Sequence, residues 1–197
     1  RPTTEATADF VRVIVDFYGP KNDCKVNDFY VSGARKMTGA YSNKFSRYKT
    51  GPFLTYYENG NLESQVTFED NLPIGKCYFW YENGSKKAEC EVYKQRSDND
   101  PLLRVNQFWS RIGIQRVVNG KGHYTDEDIT SFSEGELEKG LKQGQWWGTD
   151  YKDNFTFVET YKKGRLVSGV ATDSLNQTHK YHKVFIPAEP KKGYDHF

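Results

Sequence analysis

The chain has 197 residues and near-balanced charge, 28 Lys+Arg against 26 Asp+Glu, with no basic block in either half. That balance argues against nucleic acid and anionic membrane as partners. No apolar run approaches the ~18 residues a membrane-crossing helix needs.

Fourteen Tyr, 13 Phe and 4 Trp stand beside 17 Gly, while Met occurs once. Aromatic side chains suit half-buried pleated surfaces and Gly serves turns, so composition leans towards β structure. In chain order, residues 1–8 read as a flexible stub, and the Thr/Ala-rich opening is of the kind that follows a processed export signal. Residues 9–18, DFVRVIVDFY, predict an opening strand, and 28–41, DFYVSGARKMTGAY, a first loose hairpin about Gly33.

The centre of the chain repeats itself. GPFLTYYENGNLESQVTF from Gly51 aligns with GKCYFWYENGSKKAECEV from Gly75, pairing Tyr57 with Tyr81, Asn59 with Asn83 and Gly60 with Gly84 at an offset of 24. The Asn-Gly pairs at 59–60, 83–84 and 119–120 suit two-residue type I′ turns, in which both central residues take positive φ. Such a turn at Asn83-Gly84 opposes Tyr81 to Lys86, Phe79 to Ala88 and Cys77 to Cys90. At Asn59-Gly60 it opposes Tyr57 to Leu62, Thr55 to Ser64 and Phe53 to Val66. Cys77 and Cys90 then lie side by side, close enough for a disulfide without requiring one, and Cys24 stays free.

Strand alternation assigns Phe53, Tyr57, Leu62, Val66, Phe79, Tyr81, Ala88, Cys90 and Val92 to the core face. The other face carries Tyr56, Tyr78 and Trp80 beside Glu63, Lys87, Glu89 and Glu91. Residues 94–101 read as a loop. Val105, Gln107 and Trp109 alternate and predict a strand until Gly113. An aromatic or apolar residue three before a Gly recurs at Gly33, Gly120, Gly135 and Gly164; with Gly60 and Gly84, all but Gly135 are taken as turn glycines. The repeat domain is expected over 9–176, with a C-terminal strand and a Pro/Gly-interrupted tail over 177–197.

Tyr-Tyr-Glu-Asn-Gly followed by Trp-Tyr-Glu-Asn-Gly resembles the variant MORN repeat, and more narrowly the bacterial YwqK-type set labelled antitoxin repeat proteins. The resemblance is specific over 51–93, fair over 117–169 and loose over 28–41. It implies an all-β fold, an antiparallel meander of consecutive hairpins, acting as a binding or assembly module. The tail VFIPAEPKKGYDHF resembles the linker that precedes a TonB-type C-terminal domain.

No catalytic motif emerges. His179 and His182 are three apart and fall on opposite faces of a strand, and Asp126, Glu127 and Asp128 read as a solvated loop. Three cysteines with no CxxC spacing give no zinc site. No cofactor, metal or enzymatic activity is expected. The aromatic residues Tyr56, Tyr78, Trp80, Trp146 and Trp147 are the candidate contacts for a protein partner, with polysaccharide or peptide as further ligands. The expectation is therefore an exported, envelope-associated, non-catalytic binding module. The alternatives are an intracellular antitoxin-like protein that masks a partner and, more distantly, a hydrolase of envelope polymers.

Overall fold

The computed structural model describes residues 10–15, 24–42, 48–93 and 102–182. The expected stub at 1–8, the loop at 94–101 and the tail beyond residue 182 lie outside these. Every element among the described residues is a strand. In order they are β1 (Val11–Val15), β2 (Cys24–Phe29), β3 (Arg35–Tyr41), β4 (Lys49–Tyr56), β5 (Leu62–Glu69), β6 (Leu72–Trp80), β7 (Lys86–Tyr93) and β8 (Leu102–Trp109). There follow β9 (Gln115–Val118), β10 (Lys121–Glu127), β11 (Ser131–Glu138), β12 (Leu141–Asp150), β13 (Phe155–Lys162), β14 (Arg165–Thr172) and β15 (Thr178–Tyr181).

Strand order in the sheet is the order in the chain, and the pairing is antiparallel, so the fold is the all-β meander that the repeats predict. Backbone contacts gather the chain into two units, one ending at Lys121 and one beginning at Gly122.

In the first unit, four hairpin ends share one construction. Tyr30, Tyr57, Tyr81 and Ser110 each donate their backbone N–H to the carbonyl of the residue four ahead and accept at their own carbonyl from the glycine three ahead, namely Gly33, Gly60, Gly84 and Gly113. These are three-residue loops, a tight turn closed by one glycine at positive φ. The predicted type I′ conformation is corrected at Asn59 and Asn83: Gly60 and Gly84 have φ of +87° and +81°, and neither Asn has positive φ. Type I′ geometry holds at Asn119-Gly120, with φ of +49° and +77°.

The longer loop displaces the pairs nearest each turn. Tyr56 rather than Tyr57 faces Leu62, and Trp80 rather than Tyr81 faces Lys86. One extra residue on the return strand, Glu63 or Lys87, forms a bulge that cancels the displacement. Beyond it the expected pairs stand: Phe53–Val66, Thr55–Ser64, Phe79–Ala88 and Cys77–Cys90. Both cysteines are buried and not joined by a disulfide, and a hydrogen bond to Cys90 draws the Cys77 thiol below its usual range. Gly113 replaces Gly120 as the fourth member of the series.

One cross-strand row shows where the core lies. Asp28, Met37, Thr55, Ser64, Phe79, Ala88, Phe108 and Val117 follow one another from β2 to β9. Its far end, Ala88, Phe108 and Val117, is buried. Its near end is polar: Asp28 is 5% exposed and receives a two-pronged bond from Arg12, Nε to Oδ1 at 2.7 Å and a second guanidinium nitrogen to Oδ2 at 2.8 Å. A second row, Cys77, Cys90 and Val105, lies on the same face. On β8, Asn106 is an extra residue, so Val105 and Phe108 are the buried pair and the alternation expected through Gln107 and Trp109 is broken.

A tyrosine ladder joins successive hairpins. The Tyr30 hydroxyl donates to the Tyr56 carbonyl at 2.8 Å, Tyr57 to that of Trp80 at 2.9 Å, and Tyr81 to that of Trp109 at 2.8 Å. Each ladder tyrosine opens one turn and ties down the carbonyl just before the next turn. That explains why the repeat carries Tyr at this place.

The second unit is built around Trp146. Gly144 at φ +70° bulges β12 and turns the fully buried Trp146 indole onto Gly135, where an added Cβ would lie 2.6 Å from the ring. Gly135 is thus a mid-strand floor, although it shares the spacing, an aromatic three residues before, that the turn glycines show. Lys142 lies with its ammonium 4.1 Å from the Trp146 ring centroid, and burial pushes its pKa down. Nearby, Glu159 accepts from the hydroxyls of Tyr161 at 2.7 Å and Tyr181 at 2.9 Å. Burial first, and the Glu159 carboxylate second, raise both phenols well above the usual tyrosine range.

Candidate functional site

The surface that remains for recognition is the face turned away from these cores. In the first unit it carries the row Leu54, Gln65, Tyr78, Glu89 and Gln107. Tyr78 and Trp80, two apart on β6, stand together with ring centroids 6.3 Å apart and half-buried. Tyr56 is half-buried at the end of β4, opposite Leu62. Tyr78 also walls a polar recess of about 370 Å³ with Lys76, Glu89, Asn106 and Asn119. Its amides are tied to one another: Gln115 Nε2 donates to Gln107 Oε1 at 2.7 Å, and Gln107 Nε2 to Asn119 Oδ1 at 3.1 Å.

The second unit separates the two tryptophans that the sequence presents as a pair. Adjacent strand residues point to opposite faces, so Trp146 is sealed in the core while Trp147 is 46% exposed. The Trp146 indole N–H is spent on the Glu136 carbonyl at 3.1 Å. Trp147 is therefore the one of the two that faces solvent, and Trp146 holds the strand that carries it.

Around Trp147 the register assembles a defined surface. Trp147 lies opposite Val158, Val158 opposite Val170, and Val170 opposite Lys180. Val158 and Val170 are 49% and 37% exposed, so three apolar side chains on three neighbouring strands form a continuous solvent-facing row. One step along the same strands runs a row of threonines, Thr149, Thr156, Thr172 and Thr178. The Trp147 indole is oriented by its N–H, which donates to Glu134 Oε1 at 2.9 Å. His123 packs beside it, ring centroids 6.2 Å apart, with Nε2 2.9 Å from Glu134 and Nδ1 3.2 Å from Glu136.

Of the five candidate aromatic residues, the structure thus places Tyr78 and Trp80 together, Tyr56 at a hairpin end, Trp147 on a second surface and Trp146 beneath it. Val158 and Val170 are the residues the sequence reading missed. Their one available signal was period-2 alternation within DNFTFVET and RLVSGVAT, and it becomes meaningful only once the register aligns them with Trp147. Among the described residues no group of His, Cys, Asp and Glu is arranged to hold a metal ion, and no helix is long and apolar enough to cross a membrane.

Fold and surfaces together define a protein of stacked β-hairpins that offers sheet faces for contact. Residues 49–70 and 73–95 each match the family model of the MORN repeat variant, and the two matches take in β4–β5 and β6–β7. Repeats of this family typically serve as binding or assembly modules. A comparison with curated proteins finds no match.

Proposed function

We propose that this chain is a non-catalytic binding or assembly module, exported to the bacterial cell envelope, that docks a protein partner on the row Trp147–Val158–Val170. The observation that carries the reading is the exposure of these three apolar side chains in direct cross-strand register, with the tryptophan oriented by Glu134. Such a row has no role in the core on the other side of the sheet, and a rigid aromatic anchor flanked by apolar residues is a usual centre of an interface. Threonines alongside add hydroxyls that pair with a partner backbone without the desolvation cost of charges.

The test is affinity capture from native lysate separated into envelope and cytosol, with the wild type and a Trp147→Ala/Val158→Lys variant as baits. The reading expects a partner from the envelope fraction whose recovery falls about tenfold or more with the variant, as loss of an interface anchor of ~2 kcal/mol gives. Equal recovery by both baits contradicts the assigned surface. Recovery from cytosol alone favours an antitoxin-like regulator. A hydrolase screen giving turnover that vanishes on changing His123 or Glu134 would overturn the non-catalytic reading.

A further inference from the structure

Among the described residues, the core face of the first unit leaves space at its beginning. Between β1 and β5 a cavity of about 380 Å³ opens over Phe53, Phe68 and Met37. That size falls at the lower end of the ~300–1,000 Å³ of small-ligand sites. Phe53 and Phe68 meet edge to face with centroids 5.2 Å apart, making a rigid apolar floor. The hydroxyls of Thr55 and Ser64, paired at 2.7 Å, line the same cavity.

The charge around this floor is unbalanced. Arg12 and Asp28 satisfy each other through the two-pronged bond. Lys49 and Lys36 also line the cavity, and among the described residues neither ammonium has a carboxylate partner. Instead, Lys49 Nζ stands 4.7 Å from the Phe68 centroid and 5.3 Å from that of Phe53, while Lys36 Nζ is 5.2 Å from Phe10 and 5.3 Å from Tyr30. Among the described residues, Glu63 is the one lining acid left to set against two ammonium groups. Ring faces attract cations but leave an ammonium's hydrogen-bonding capacity largely unused.

We propose that this cavity binds a small apolar body bearing a carboxylate, the ring or branched chain lying on Phe53, Phe68 and Met37 and the carboxylate pairing with Lys49, in the field of Lys36. Two sources share that chemistry: a free aromatic acid, and the C-terminal residue of a peptide. The site lies on the core face of the first unit and is independent of the Trp147 row.

Met37 is the sole methionine of the chain, so a methyl label on methionine gives one resonance inside the cavity. The full chain is titrated with 3-phenylpropionate, with its neutral amide, and with a short peptide ending in Phe whose C-terminus is free or amidated. The proposal expects the free acid to shift the Met37 methyl saturably, and the amide to bind about tenfold more weakly, as loss of one charge-assisted bond gives. Lys49→Met should weaken the acid by a similar factor without moving the amide, and Lys49→Arg should restore it. Binding by both acids marks a site open to chain ends, and binding by the free acid alone marks a small-molecule site; either supports the proposal. Equal binding of acid and amide, an unchanged Met37 resonance with every probe, or no effect of Lys49→Met overturns it.

Discussion

Gly84 and Gly135 impose two different demands that single substitutions separate. At Gly84 the nearest atoms to an added Cβ belong to Asn61, at 3.5 Å, so there is room, but φ is +81°. Gly84→Val therefore costs backbone strain, about 1–3 kcal/mol. At Gly135 the backbone is unremarkable and the space is taken, because Trp146 lies on the Cα and has no exposed surface through which to retreat. Gly135→Ala is expected to cost about 3 kcal/mol or more through overpacking. Denaturant unfolding monitored by tryptophan fluorescence reads both. A harmless Gly135→Ala would mean that Trp146 does not sit where the Gly144 bulge places it. The sequence exposed the turn glycines through the Asn-Gly repeat, but Gly135 shares the spacing of the turn glycines and nothing local marks its mid-strand place, since its partner lies across the sheet. Nor did the sequence betray that Asn59 and Asn83 avoid positive φ, because Asn-Gly serves both two- and three-residue loops.

At the scale of the hairpin, the tyrosine ladder makes each repeat depend on the next. Tyr57→Phe keeps the ring and removes a donor to the Trp80 carbonyl, at an expected cost of about 1 kcal/mol. Hydrogen exchange should quicken at the Tyr81–Ser85 turn, which lies beyond the bond that is lost. A change confined to the Tyr57 turn would contradict the ladder. At the other end of the chain, the turn into β15 is closed by Asp173, whose carboxylate accepts from His179 at 3.0 Å and from the backbone N–H groups of Gln177 and Leu175. These bonds hold Asp173 below the usual carboxylate range, the His179 contact foremost. Because the folded state favours the charged form, the contribution is complete above the unfolded value of about 4 and is lost as pH falls through the lower folded value. Amide signals of β15 should lose protection in that acidic window, and Asp173→Asn should show the loss already at neutral pH. Hairpin existence was legible from strand alternation between turn residues. The fourth turn escaped because Ser110 stands where the others have Tyr, although its glycine keeps the place.

For the whole molecule, the account is that pairing is local throughout: each strand bonds to its neighbours in the chain, and bulges at Glu63 and Lys87 return each hairpin to one shared register. That register puts Cys77 opposite Cys90 inside and lines Trp147 up with Val158 and Val170 outside. The inner set could be read by counting back from Asn-Gly, since the longer turn and the compensating bulge cancel. The outer set could not, because it spans three strands joined by turns without that signature. The most direct test is a cross-strand map of backbone proton contacts from nuclear Overhauser spectra of the isotopically labelled chain. The account predicts contacts between Cys77 and Cys90, Phe53 and Val66, Trp147 and Val158, and Val158 and Val170, and interstrand contacts only between consecutive strands. A one-residue slip at Cys77–Cys90, which would turn the two thiols to opposite faces, or pairing between strands apart in the chain, would contradict it.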